Sequence, residues 1–154
     1  MAAGRAGLLL LSLTVPASLS RVVGFRALHR FYRPDWSETR NRETFGPLSD
    51  APGHAHDYRC VVTVTGALEP LRGMVMDLVE LDRVLQEEVV ARFDGRHLNL
   101  DVPEFAYGRT LPTCEALAAH VFARVAARLP AGVALERVRI AEDPTLYGEC
   151  TGVP

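Results

Sequence analysis

The sequence predicts an α+β fold in which a four-stranded antiparallel sheet carries two helices on one face. Three observations predict it: two strand-like runs near the N-terminus, two amphipathic helical runs in the middle, and two more strand-like runs at the end. The order ββααββ, two hairpins separated by a helix pair, segregates the element types and so favours an antiparallel sheet over alternating parallel units. A chain of 154 residues, 48% hydrophobic and 23% charged, can bury one real core and is too short for two comfortable domains.

The elements follow in order. Ser20 to Tyr32 is rich in β-branched and aromatic residues (Val22, Val23, Phe25, Phe31), as a strand requires, with His29 near its end. Pro34 breaks the regularity, and Ser37 and Glu38 are suited to start a short helix before Phe45. Gly46 to Gly53 holds two prolines and reads as a loop. Asp57 to Thr65 is the second strand; Gly66 to Gly73 forms a turn, and Met74-Val75-Met76 continues extended, completing a hairpin.

Leu78, Leu81, Leu85 and Val89 fall at three- and four-residue steps, so Leu78 to Phe93 is predicted to be a core-facing helix. Asp94 to Arg109 is irregular. Thr113 is a good N-cap for a second helix reaching about Leu129, with Leu117, Val121 and Val125 on its buried side. Val133 to Ile140 and Thr145 to Thr151 are the closing strands.

Charge and cysteine usage exclude some function classes. The net charge is -2 and the arginines are dispersed, so no nucleic-acid partner is expected. Cys60, Cys114 and Cys150 are odd in number and lack Cys-x-x-Cys spacing, which fits a reduced, cytoplasmic compartment better than a disulfide framework. The N-terminus has the outline of a short secretory signal: Arg5, an apolar run from Leu8 to Leu13, then Pro16-Ala17-Ser18. It is too short to span a membrane. The competing reading, an extension over residues 1–18 ahead of a domain over 19–152, agrees better with the intracellular character of the rest.

The stretch with the most chemistry is Pro52-Gly53-His54-Ala55-His56-Asp57-Tyr58. Side chains alternate along a strand, so His54 and His56 share a face. A third imidazole from elsewhere would complete an open three-histidine zinc site; without one, the pair reads as two surface histidines at a strand edge.

Several segments, taken together and in order, resemble the 6-pyruvoyl-tetrahydropterin synthase and 6-carboxytetrahydropterin synthase family over roughly Leu19 to Gly152. They are Phe25-Arg26-Ala27-Leu28-His29-Arg30, Gly53 to Tyr58, Gly73 to Leu78, His97-Leu98-Asn99 with Asp101-Val102-Pro103, Pro112-Thr113-Cys114-Glu115, and Ala141 to Thr145. The resemblance implies the tunnelling fold, whose sheets join into a barrel, commonly a homo-hexamer built from two trimers with sites between subunits. It implies Zn2+ held by His29, His54 and His56, a small pterin as substrate, and no membrane partner. It makes Glu142 the anchor of the pterin ring, a role suited to a carboxylate that accepts two parallel hydrogen bonds. Thr113 matches a residue lining the same pocket, and Cys114 would sit at its wall.

The chain departs from the family in its proton-transfer unit. A cysteine is expected where Leu48 stands, and in an Asp-His pair Asp94 is kept while the histidine position is Gly95. Leucine and glycine carry no ionisable group. Asp50 and His97 are the nearby candidates for acid-base work, alongside Ser49 and Cys114, although a two-residue shift can displace a base by several ångströms. Two functions follow from the resemblance. One is a zinc-dependent lyase acting on 7,8-dihydroneopterin triphosphate, in the tetrahydropterin or queuosine-precursor pathway. The other is a pterin-binding paralogue that keeps the zinc site without turnover.

Overall fold

The computed structural model describes residues 16–153. The apolar run Leu8 to Leu13 lies outside them, whereas Pro16, Ala17 and Ser18 open strand β1 (Pro16–His29) and pair with Ala67, Gly66 and Thr65. The short helix α1 (Glu38–Phe45) is capped as its sequence suggests, with the Ser37 side chain accepting from the Arg40 amide. A 3-10 turn, Gly46–Ser49, leads toward β2 (His54–Ala67). Strands β1 and β2 form one long antiparallel pair in unbroken register from Pro16↔Ala67 to His29↔His54.

Helix α2 (Leu78–Leu85) runs through a π-helical stretch, Gln86–Val90, into the short α3 (Ala91–Phe93). The extra residue in the π turn helps bury Glu88, which is 6% exposed and receives the guanidinium groups of Arg124, at 2.6 Å, and Arg128. Next come β3 (Arg96–His97), α4 (Leu98–Asp101) and a 3-10 turn, Pro103–Phe105. Helix α5 (Cys114–Ala126) starts on the Thr113 cap, and β4 (Val133–Ala141) and β5 (Tyr147–Cys150) close the chain.

The fold is α+β, and two expectations are corrected. The sheet has five strands in the order β3-β1-β2-β4-β5, not four, and it is not wholly antiparallel, because β3 pairs with β1 in parallel through Ala27↔Arg96 and Leu28↔His97. The simple ββααββ order therefore fails: β3 falls between the two long helices. Met74-Val75-Met76 is also not a strand. It leads into the Asp77 cap of α2, whose carboxylate accepts from the Val79 and Glu80 amides, and the partner of β2 is β1.

One face of the sheet is apolar because of strand alternation. Phe25 and Ala27 on β1, Tyr58, Cys60, Val62 and Val64 on β2, and Val138 and Ile140 on β4 are all buried. They share a core with Leu81, Val84, Leu85 and Val89 of the α2 region and Leu117, Ala118, Val121 and Val125 of α5. Among the described residues, no helix is long and apolar enough to cross a membrane.

Gly148 lets α5 lie directly against β5. A Cβ there would stand 2.5 Å from the Glu115 amide nitrogen and 2.7 Å from the Cys114 carbonyl carbon, and both are backbone atoms that cannot swing aside. Gly148→Ala is therefore expected to destabilise the protein by about 1–3 kcal/mol, the usual cost of overpacking, read as a lower denaturant midpoint with the slope unchanged.

Candidate metal centre

The β1–β2 register creates the cluster. His29 stands directly opposite His54, so their side chains lie on the same face, and His56 shares that face two residues further along β2. The chain reaches this pairing through Gly53, whose φ is 111°. A Cβ at Gly53 would lie 2.4 Å from the His29 carbonyl oxygen, so the turn passes too close for any side chain.

One ligand nitrogen from each of His29, His54 and His56 falls within 4.8 Å of the others. His29 is fully buried, and its Nδ1 donates to the Pro112 carbonyl at 2.8 Å. That bond assigns the ring proton to Nδ1 and leaves the Nε2 lone pair aimed into the cluster. The Tyr58 hydroxyl lies 3.1 Å from the same Nδ1. The Nε2 atoms of His29 and His54 are 2.9 Å apart, and Nε2 of His56 is buried with no hydrogen-bond partner. Buried polar atoms are nearly always satisfied, so an orphaned imidazole nitrogen facing two others fits a metal ligand.

The electrostatics agree with neutral ligands. Burial lowers His29 to about 4, with His54, His56 and His97 acting in the same sense against the Pro112 bond. His54 is lowered too, first by burial and then by His56, while Glu142 opposes the shift. Tyr58 is raised above the ordinary phenol range, mainly by burial.

Glu142 follows the end of β4 and faces this cluster. Its Oε2 lies 3.7 Å from His56 Nε2 and 3.9 Å from His29 Nε2. Cys114 Sγ is 3.7 Å from the same oxygen. Thr113 stands beside them, its hydroxyl accepting from the Ala116 amide at 3.2 Å. The structure thus brings His29, His54, His56, Glu142 and Cys114 together, with Thr113 next to them.

The three acid-base candidates are held separately. Asp94 Oδ1 accepts from the Arg26 amide at 2.8 Å, tying the end of α3 to β1. The Gly95 amide donates back to the Arg26 carbonyl from a φ of 70°. His97 Nε2 donates to the Pro52 carbonyl at 2.6 Å, leaving a buried Nδ1 without a partner. Asp50 is paired with Arg42 at 2.6 Å on the surface. Leu48 is 41% exposed and contributes its carbonyl oxygen to the Phe31 amide.

Tyr58 and the Pro112 carbonyl are site groups that the sequence reading left without a role. Period-two alternation continues from His54 and His56 to Tyr58, so that signal was present. Nothing local points from Pro112 to a histidine 83 positions earlier.

Comparison with known proteins finds relatives in both sequence and fold. A family model described as 6-pyruvoyl tetrahydropterin synthase matches residues 18–152. The 6-pyruvoyl tetrahydrobiopterin synthase of Pongo abelii is 37% identical over 126 residues, covering 82% of this chain and 85% of its own length. A putative 6-carboxy-5,6,7,8-tetrahydropterin synthase of Archaeoglobus fulgidus is 32% identical over 96 residues, covering 62% of this chain and 73% of its own. The structure of the Caenorhabditis elegans 6-pyruvoyl tetrahydropterin synthase superposes with a TM-score of 0.83 at 30% identity, covering 91% of this chain and 98% of that one.

The lowered His29 dictates a pH dependence. Between its ordinary value of 6.5 and about 4, the unfolded chain binds a proton that the folded chain refuses. Stability of the metal-free protein therefore falls as pH drops through that window, because the unfolded state holds more protons there. His29→Gln is expected to make this fall shallower, as measured by urea denaturation at a series of pH values in the presence of a chelator.

Proposed function

The chain belongs to the 6-pyruvoyl tetrahydropterin synthase family, and on that premise we propose that it is a zinc-dependent lyase acting on 7,8-dihydroneopterin triphosphate. The observation that carries this reading is a cluster of three imidazoles, two of which face the Glu142 carboxylate within 4 Å. Among the described residues, His29, His54 and His56 can hold a metal ion, and three histidine ligands leave one position of a tetrahedral ion for a substrate oxygen.

His29, His54 and His56 would hold the ion. Zinc bound there supplies Lewis-acid polarisation of the substrate side chain. Glu142 accepts hydrogen bonds from the amino-pyrimidinone edge and so fixes which end of the pterin reaches the cluster. The Thr113 cap and the buried start of α5 close one wall. His97 takes the proton-accepting role, because its Nε2 is committed to Pro52 and its Nδ1 carries a free lone pair. Asp94 orients the adjoining backbone, and Asp50 serves as a second acid-base group once released from Arg42. We assign the domain to residues 16–152, because Pro16 to Ser18 already pair within β1, and the protein to a cytoplasmic homo-hexamer with sites between subunits. The family resemblance supports that assembly, and so does the long edge of β1, which pairs with β3 at two positions alone.

A second reading follows from the family resemblance, which expects a cysteine and a histidine where Leu48 and Gly95 stand. It is a pterin-binding paralogue that retains the site and has lost turnover. Both readings are tested by incubating the zinc-loaded protein with dihydroneopterin triphosphate and following triphosphate release and new pterin products. Release at an enzyme-like rate that stops on zinc chelation supports the lyase, whereas binding without products supports the paralogue. For the lyase, His97→Ala should lower kcat by at least about 100-fold, the typical contribution of a general base, and Asp50→Ala by less. Glu142→Ala should abolish pterin binding while leaving the zinc content unchanged.

A further inference from the structure

The start of α5 touches both halves of the site. Through Pro112 it accepts the His29 Nδ1 proton, and two residues later Cys114 reaches Glu142. Close packing of its backbone against Gly148 holds this segment in place. Cys114 is 5% exposed, so its side chain is largely shielded from water.

Chemistry fixes the direction of the Cys114–Glu142 contact. Burial, and then the Glu142 charge, push the Cys114 thiol up to about 12, so the sulfur keeps its hydrogen at neutral pH. An ionised carboxylate accepts and never donates. The Nε2 atoms of His56 and His29 also lie near Glu142 Oε2, at 3.7 and 3.9 Å. If the carboxylate turned further toward those nitrogens, it would compete for the ion and lose the edge it presents to a planar ligand.

We propose that Cys114 is a positioning residue whose thiol donates to Glu142 Oε2 and holds the carboxylate in the orientation that receives the pterin edge. This rests on the reading of Glu142 as the pterin anchor. The thiol is a weak donor, but a donor of any strength facing a carboxylate in a dry site restricts its rotation.

The two possible roles of Cys114, donor or filler, separate by substitution in the full-length, zinc-loaded protein. The probe is 7,8-dihydroneopterin, its binding measured by calorimetry, with zinc content measured in parallel. Cys114→Ser keeps a donor and should bind within about twofold of wild type, whereas Cys114→Val, a somewhat larger apolar side chain, lacks a donor and should bind about three- to tenfold more weakly, the range for losing one hydrogen bond. Zinc content should stay the same in both. Wild-type affinity in Cys114→Val, or a loss in Cys114→Ser as large as in Cys114→Val, overturns the proposal and leaves Glu142 as the anchor. Failure of the wild-type chain to bind dihydroneopterin overturns the parent reading and this one with it.

Discussion

The β1–β2 register is the constraint on which the site depends. Side-chain direction in a strand has a period of two, so a slip of one residue would turn His54 and His56 to the opposite face. The register is pinned along its whole length by the core. Phe25 stacks on Tyr58 with ring centroids 4.9 Å apart, and Ala27 sits opposite His56. The same alternation that buries Phe25, Tyr58, Cys60 and Val62 therefore delivers the imidazoles to the edge of the core. Folding energy and ligand geometry are set by one ladder, and His29 is buried for the same reason that Phe25 is.

The second half of the site comes from the far end of the chain. Glu142 follows β4, which pairs with β2, so the carboxylate is placed relative to the histidines by sheet hydrogen bonding through their own strand. Helix α5 then packs over β4 and β5, and its start closes the arrangement through Pro112 and Cys114. Each contact crosses a large sequence separation, yet each is short in space. A side chain at Gly148 would therefore press on the segment that touches both His29 and Glu142.

Periodicity made much of this legible in the sequence. The leucine and valine spacing of α2 and α5, the Ser37 and Thr113 caps and the shared face of His54 and His56 all follow from local rules. The metal trio needed more, because nothing local links His29 to residue 54; the family resemblance made that link and the register explains it. Strand β3 escaped notice because two residues, Arg96 and His97, carry no pattern and exist as a strand through pairing with β1. The extended reading of Met74 to Met76 failed because β propensity there lost to the Asp77 cap, which draws the chain into α2. The π stretch was hidden because the apolar spacing from Leu81 to Val89 is the same for a helix that bulges as for one that does not.

The polar groups near the sheet's end divide into two kinds. Three imidazoles, the Pro112 carbonyl and Glu142 face one another in the cluster. Asp94 and Gly95 lie apart from it and are accounted for in backbone terms. Gly95 adopts a left-handed φ of 70° at the end of α3, and the carboxylate of Asp94 beside it is engaged by the Arg26 amide. An Asp whose oxygen caps a strand amide is useful to the fold whether or not an imidazole follows it. The cluster is thus built into the long strands of the sheet, whereas Asp50, Asp94 and His97 sit on the shorter segments at its rim.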